Sequence, residues 1–282
     1  MPPPLLLGFS RCVARGPLLE LALACTDIAG NAIREWWCLV LCCLTMSPQP
    51  SKVQHVRLSG AAEALRLAYS QAGRASVAFI DETFDVDPAH PRHFYVMAAV
   101  VVQCEELDGL RAGLVDLAGS SYWHTSEALR TEAGRERTRE MLDYLGNPEG
   151  TERCVVRHHV EVAPSDSKGE EARAECLGEL LAFLAQVGAH GSAVGLFVLE
   201  RRRVQREANA DATTKAALVA ADRLPSSARM IQVTPGQEQL LWLPDVVCSA
   251  YRRDIVHGET DYFRRVAHIT EVVEKRSNPW LP

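Results

Sequence analysis

The run Val77-Ala78-Phe79-Ile80-Asp81-Glu82-Thr83 constrains this chain most. Apolar residues, β-branched and aromatic ones among them, lead straight into two carboxylates. A short apolar run of this kind reads as a buried strand, Val77 to Asp81. A buried strand that ends in acid sets charge at the edge of a core. That is costly unless the acids are solvated, paired or bound to a cation. Neighbours on an extended strand point to opposite faces, so at most one of Asp81 and Glu82 can face a given site.

The rest of the chain reads as what surrounds that strand end. Ser59 to Gln71 has a helical apolar side in Ala62, Leu65, Leu67 and Ala68, with Gly73 as its stop. Thr83 to Arg92 is polar, holds Pro88 and Pro91, and reads as a loop. Phe94 to Gln103 reads as a second buried strand, forming a wide hairpin with the first. Helices are expected over Glu105–Leu117, Ala128–Leu145, Gly169–Val187, Ala208–Arg223 and Leu240–Val256, and a final one over Thr260–Val273. Strands are expected over Cys154–Val162, Val194–Leu199 and Ala228–Val233. Strands and helices interleaved in this way predict an α/β or α+β domain with a sheet near its centre.

Composition narrows the setting. Formal net charge is −6, so nucleic-acid binding would need a local basic patch rather than a global field. None of the nine cysteines forms a C-x-x-C pair, and no histidine cluster follows at zinc-finger spacing. Free thiols in a reducing cytoplasm are expected. The apolar run Trp36 to Leu44 is too short to span a bilayer, and no stable membrane insertion is expected. Residues 1–45 read as an upstream extension or poorly ordered segment, because Met46 opens a polar linker that looks like an ordinary protein start. Residues 46–74 read as linker and leading helix, and 75–275 as the main domain.

Four places carry candidate chemistry. Asp81-Glu82 and Glu200 close two separate strands. Asp245 opens a late helix, and Glu127 opens the helix after Trp123-His124. Converging carboxylates repel one another unless a divalent cation is bound. Hard oxygen ligands suit Mg²⁺ or Mn²⁺, and two such ions can stabilise the attacking and leaving oxygens of a phosphoryl displacement. Each residue also has a blander reading. Asp81 and Glu82 can be polar residues where a strand leaves the core. Glu200 can be paired with the adjacent arginines. Asp245 can answer a helix macrodipole, Glu127 can belong to a cap, and His124 can be a packed histidine. Arg201, Arg202, Arg203 and Arg206 form the concentrated basic run. It could grip phosphates beside Glu200, or be a solvated face. No P-loop, G-x-G-x-x-G or G-x-S-x-G is present.

These stretches together resemble a family, the bacterial and phage proteins carrying domain of unknown function 3800, and its actinobacterial branch most. The carrying residues are Phe79-Ile80-Asp81-Glu82-Thr83, the apolar run Phe94 to Val102, Trp123-His124-Thr125-Ser126-Glu127, Leu199-Glu200-Arg201, and Leu241-Trp242-Leu243-Pro244-Asp245-Val246-Val247 with Ala250. Many relatives carry a serine and a glycine soon after the first acids, where this chain has Thr83 and Phe84. The resemblance implies a ribonuclease H-like α/β fold, with a central mixed sheet flanked by helices. It implies Asp81 as first-strand acid with Glu82 its companion, Glu127 second, Glu200 third and Asp245 last. The expected function is a divalent-metal-dependent nuclease or related phosphoryl-transfer enzyme acting on nucleic acid. Asp81, Glu82, Glu127, Glu200 and Asp245 would be the metal ligands, Arg201 or Arg202 would contact phosphate, and His124 would assist proton transfer. The alternative is a non-catalytic module of the same fold that binds nucleic acid or protein. On the last helix Asp245 shares a side with Leu241, Cys248 and Arg252, so that side must face the acidic end of the sheet if Asp245 is a ligand.

Overall fold

A computed structural model describes residues 60–273, apart from Arg74, Pro88, Pro91, Arg92, Val160, Glu161 and 187–192. The expected extension over 1–45, the linker that follows it, and Ser59, the expected first residue of the leading helix, lie outside the described residues.

The architecture is α/β, a mixed six-stranded sheet flanked by helices. The strands are β1 (Ser76–Asp85), β2 (Phe94–Val102), β3 (Arg153–His159), β4 (Val194–Glu200), β5 (Arg229–Val233) and β6 (Thr270–Val273). Their order across the sheet is β5-β4-β1-β2-β3-β6. β1 runs antiparallel to β2 and parallel to β4. It therefore has a hairpin partner on one side and a crossover partner on the other.

Sequence periodicity explains which face each residue takes. Val77 and Phe79 of β1 point to one face, with Val96, Ala98 and Val100 of β2 and Leu196 and Val198 of β4. Ala78 and Ile80 point to the other, with Tyr95 and Met97 of β2 and Phe197 and Leu199 of β4. β2 is buried along its whole length, as its unbroken apolar run requires. The first face is covered by helices α1 (Gly60–Ala72), α2 (Leu107–Ala118), α4 (Glu132–Leu145) and α7 (Trp242–His257). The second is covered by α5 (Glu170–Leu184), with α6 (Gln205–Ala220) packed against it.

Three expectations need correction. β1 does not stop at Asp81 but continues to Asp85, because Thr83 and Phe84 pair with Val96 and Tyr95 of β2. The helix expected from Ala128 is two helices, the short α3 (Thr125–Ala128) and α4. Thr131 breaks it by taking an extended backbone and accepting a hydrogen bond from the Gly134 N–H, 3.0 Å away. Gly134 also lets the corner close, since a Cβ there would lie 2.0 Å from the Ala128 carbonyl oxygen. Finally, Thr260–Val273 is not a helix. It holds one short turn, α8 (Thr260–Phe263), a 3₁₀ turn at Ala267–Ile269, and then β6, which pairs with β3. Its β-branched residues favour the sheet edge over a helix. Among the described residues no helix is long and apolar enough to cross a membrane, and Cys104, Cys154, Cys176 and Cys248 are free thiols.

Candidate active site

The acids gather where β4 ends and β1 runs on. Asp81 follows Val77 and Phe79 on the face that α7 covers. Glu200 follows Leu196 and Val198 on the same face. The parallel register sets Ile80 beside Leu199, so one step further Asp81 stands beside Glu200. Asp81 is buried and Glu200 is exposed on its outer side.

Asp245 comes from above. It lies in the first turn of α7, one residue after Pro244. The side of α7 that carries it runs along β1. The Cys248 thiol donates to the Asp81 carbonyl at 3.4 Å. The Arg252 guanidinium donates to Thr83 Oγ1 at 3.3 Å and to the Phe84 carbonyl at 3.4 Å. The stripe Asp245, Cys248 and Arg252 thus faces the acidic end of the sheet.

The electrostatics are those of an uncompensated cluster. Burial pushes the Asp81 carboxyl well above the usual carboxylate range, and the charges of Glu82, Asp245 and Glu200 push it further. Glu200 is raised by burial and then by Glu82 and Asp245, against pulls from His124 and Arg203. Asp245 is raised by burial, opposed by hydrogen bonding from Thr125 and by His124. Beneath them, burial, Asp81 and Asp245 hold the Cys248 thiol protonated.

Two of these carboxylates are fixed by backbone donors. The Glu82 N–H donates to Asp81 Oδ1 at 2.8 Å. The Thr125 N–H, the first of α3, donates to Asp245 Oδ2 at 3.0 Å. Asp245 therefore serves the N-terminus of a neighbouring helix rather than that of its own. Thr125 is fully buried, and the Trp123 indole N–H donates to its Oγ1 at 3.0 Å.

Glu82 turns to the opposite face, as the pleat demands. There it pairs closely with Arg173 of α5 and lies 3.7 Å from Arg202. Arg173 is buried and also pairs with buried Asp211, through Nε at 2.8 Å and Nη2 at 2.9 Å. Arg202 is committed further, to Glu170 at 2.6 Å and Glu207 at 3.1 Å. Glu82 and Arg202 thus belong to an ion-pair network behind the sheet.

The remaining candidates stand at the rim. Glu127 is exposed and accepts the Tyr122 hydroxyl, 3.4 Å from either oxygen. The Tyr122 hydroxyl is raised by loss of solvent, then by Glu127 and, beyond it, by Asp245. His124 is exposed at the start of α3, close enough to favour the ionised forms of Asp245 and Glu200. The Arg201 N–H joins β4 to the Val233 carbonyl at 2.8 Å, while its side chain is exposed. Arg203, also exposed, is the arginine that acts on Glu200.

From the sequence, Arg203 stood only as one member of the basic run, with Arg201 and Arg202 ahead of it, and Thr125 had no role of its own. Arg203 sat in a basic run whose parity cannot be followed once the strand has ended. Thr125 carried a usable signal, a threonine after Trp-His at a helix start, but its partner lies across the fold at Asp245.

Among the described residues, no three Asp, Glu, His or Cys side chains are already spaced to hold a metal ion. The donor chemistry of Asp81, Glu200 and Asp245 nonetheless suits a hard divalent cation. The backbone amides that hold Asp81 and Asp245 each take one carboxylate oxygen, Asp81 Oδ1 and Asp245 Oδ2. No protein-family model matches the chain, and no curated protein sequence matches it.

Proposed function

We propose that the protein is a divalent-metal-dependent phosphoryl-transfer enzyme, a nuclease, acting on nucleic acid in a reducing cytoplasm. The observation that carries this reading is the convergence of Asp81, Glu200 and Asp245 at one strand end, where each carboxyl is raised by burial and Asp81 and Glu200 also by their acidic neighbours. Like charges gathered around buried Asp81 are costly without a partner, and a divalent cation is the partner these oxygens suit. Asp81, Glu200 and Asp245 would hold Mg²⁺ or Mn²⁺, with Glu127 at the rim. Such a metal supplies an activated water and offsets charge on the leaving oxygen.

The chain's own residues supply the rest of the reading. Arg203 and Arg201 offer guanidinium groups beside Glu200 for a phosphate, since Arg202 is occupied by Glu170, Glu207 and Glu82. His124 stands where it can exchange a proton with water near Asp245 and Glu200. The acids fall on a first strand, a short helix, a later strand end and a late helix. That is the order implied by the resemblance to the domain of unknown function 3800 family, and it supports a ribonuclease H-like assignment of the fold. The free thiols of the four described cysteines suit the reducing compartment.

The test uses the full chain, wild type and Asp81→Asn, incubated with DNA, RNA and an RNA–DNA hybrid in the presence of Mn²⁺. Mn²⁺-dependent cleavage by the wild type alone is expected. Equal cleavage by both proteins, or none by either, overturns the reading and leaves a non-catalytic binding module.

A further inference from the structure

We infer that Thr125 is a positioning residue for Asp245, locked in place by Trp123, and that the pair sets which oxygen Asp245 presents to the acid cluster. The inference rests on the metal-site reading above for its purpose, though its geometry stands independently. Asp245 comes from α7 and Thr125 from α3, so nothing in the local chain aligns them. The Thr125 N–H takes Asp245 Oδ2 at 3.0 Å, and Oδ1 lies outside that bond. Asp81 is treated likewise, with Oδ1 held by the Glu82 N–H at 2.8 Å and Oδ2 left over. Each of the two acids thus commits one oxygen to a backbone amide and has one outside that bond.

Thr125 needs its own anchor, because a short helix of one turn has little intrinsic stability. Trp123 supplies it. Its indole N–H donates to Thr125 Oγ1 at 3.0 Å, and both side chains are buried. Accepting from the indole orients the hydroxyl, so its own proton must point elsewhere. The hydrogen bonds therefore link the Trp123 indole to the Thr125 side chain, and the Thr125 amide to the Asp245 carboxylate. Partners of a metal ligand that act in this way fix its rotamer without touching the metal.

Two measurements on the full chain test this. In metal-free protein, the Trp123 indole and Thr125 amide resonances are followed in a ¹H–¹⁵N spectrum on Asp245→Ala. Both should move, because both depend on one chain of hydrogen bonds, and an unmoved indole resonance overturns the lock. Calorimetric titration with Mn²⁺ then compares wild type, Thr125→Val and Thr125→Ser. Thr125→Val should weaken Mn²⁺ binding about 10–100-fold, and Thr125→Ser, which keeps the hydroxyl, should restore most of it. Wild-type affinity in Thr125→Val overturns the positioning role. A wild type that binds no Mn²⁺ instead sinks the metal reading, and the resonance shifts alone then decide whether Thr125 and Trp123 hold Asp245.

Discussion

Asp81 and Glu82 are neighbours on one strand and meet opposite environments. Behind the sheet, Glu82 faces buried Arg173, which is shared with Asp211, and Arg202 closes the group. In front, Asp81 faces Glu200 and Asp245, with His124 and Arg203 only at the exposed edge. A carboxylate buried with its cation is a structural part whose removal exposes the partner. A carboxylate buried with other carboxylates is held there against its own electrostatics and keeps its proton more tightly. The same chemical group, one position apart, divides between architecture and chemistry by the direction of its side chain.

The contrast can be broken most forcefully from behind. Arg173→Met should cost about 3–5 kcal/mol, because it leaves buried Asp211 without a cation and Glu82 with only Arg202, 3.7 Å away. Urea unfolding measures it, and a loss under about 1 kcal/mol would mean that water already screens the network.

In front, the expected loss is of activity. Asp81→Asn should reduce Mn²⁺-dependent cleavage by more than the roughly 10–100-fold typical of removing a ligand's outer partner, while folding is retained. Comparing initial rates and unfolding curves of the same preparations separates the two effects.

A pH dependence follows from the front face alone. The folded-state carboxyls of Asp81, Glu200 and Asp245 are raised above their ordinary values. At low pH both folded and unfolded chains hold these protons, and no penalty arises. As pH climbs, the unfolded chain ionises first, so the folded chain binds more protons and loses relative stability. Asp81→Asn removes its share of that loss. Metal-free wild type should therefore fall progressively behind the variant in Tm as pH rises above about 4, the ordinary Asp value, with each kcal/mol worth about 2–4 °C in a chain of this size. A gap that stays constant as pH rises would show that the Asp81 carboxyl is not raised in the folded chain.

The smallest effects separate two adjacent arginines. Arg203→Ala should leave stability within about 0.5 kcal/mol, yet lower the salt dependence of nucleic-acid binding by about one counterion. Arg202→Ala should do the reverse, costing about 1 kcal/mol or more as its charged hydrogen bonds are lost. Unfolding midpoints and binding isotherms at several salt concentrations distinguish them.

Much of the fold was legible because its strands are apolar runs. β2 and β4 match their expected stretches to within a residue, and the β1–β2 hairpin pairs antiparallel. What could not be read depended on partners distant in sequence. Thr83 and Phe84 look like loop residues until β2 pairs with them. Residues 270–273 become a strand only because the edge of β3 is open to them. Of the site, the types and order of the acids were visible, and so was the helical side that joins Asp245 to Cys248 and Arg252. The division of labour was not. That Glu82 answers Arg173 of α5, that Arg202 answers Glu170, and that Asp245 answers Thr125, is decided across the fold.

The two neighbours of β1 also differ in when they can arrive. β2 follows within a short loop, while β4 and α7 come only after long stretches of chain. The hairpin can close early, with Asp81 still in contact with water. Glu200 and then Asp245 reach it late, because distant contacts carry the larger loop-closure cost. The clash of like charges is thus deferred until most of the hydrophobic core is in place to withstand it. A chain emerging from synthesis would pass residue 200 with the pocket half built, and would acquire the complete acid cluster only when α7 docks onto the sheet.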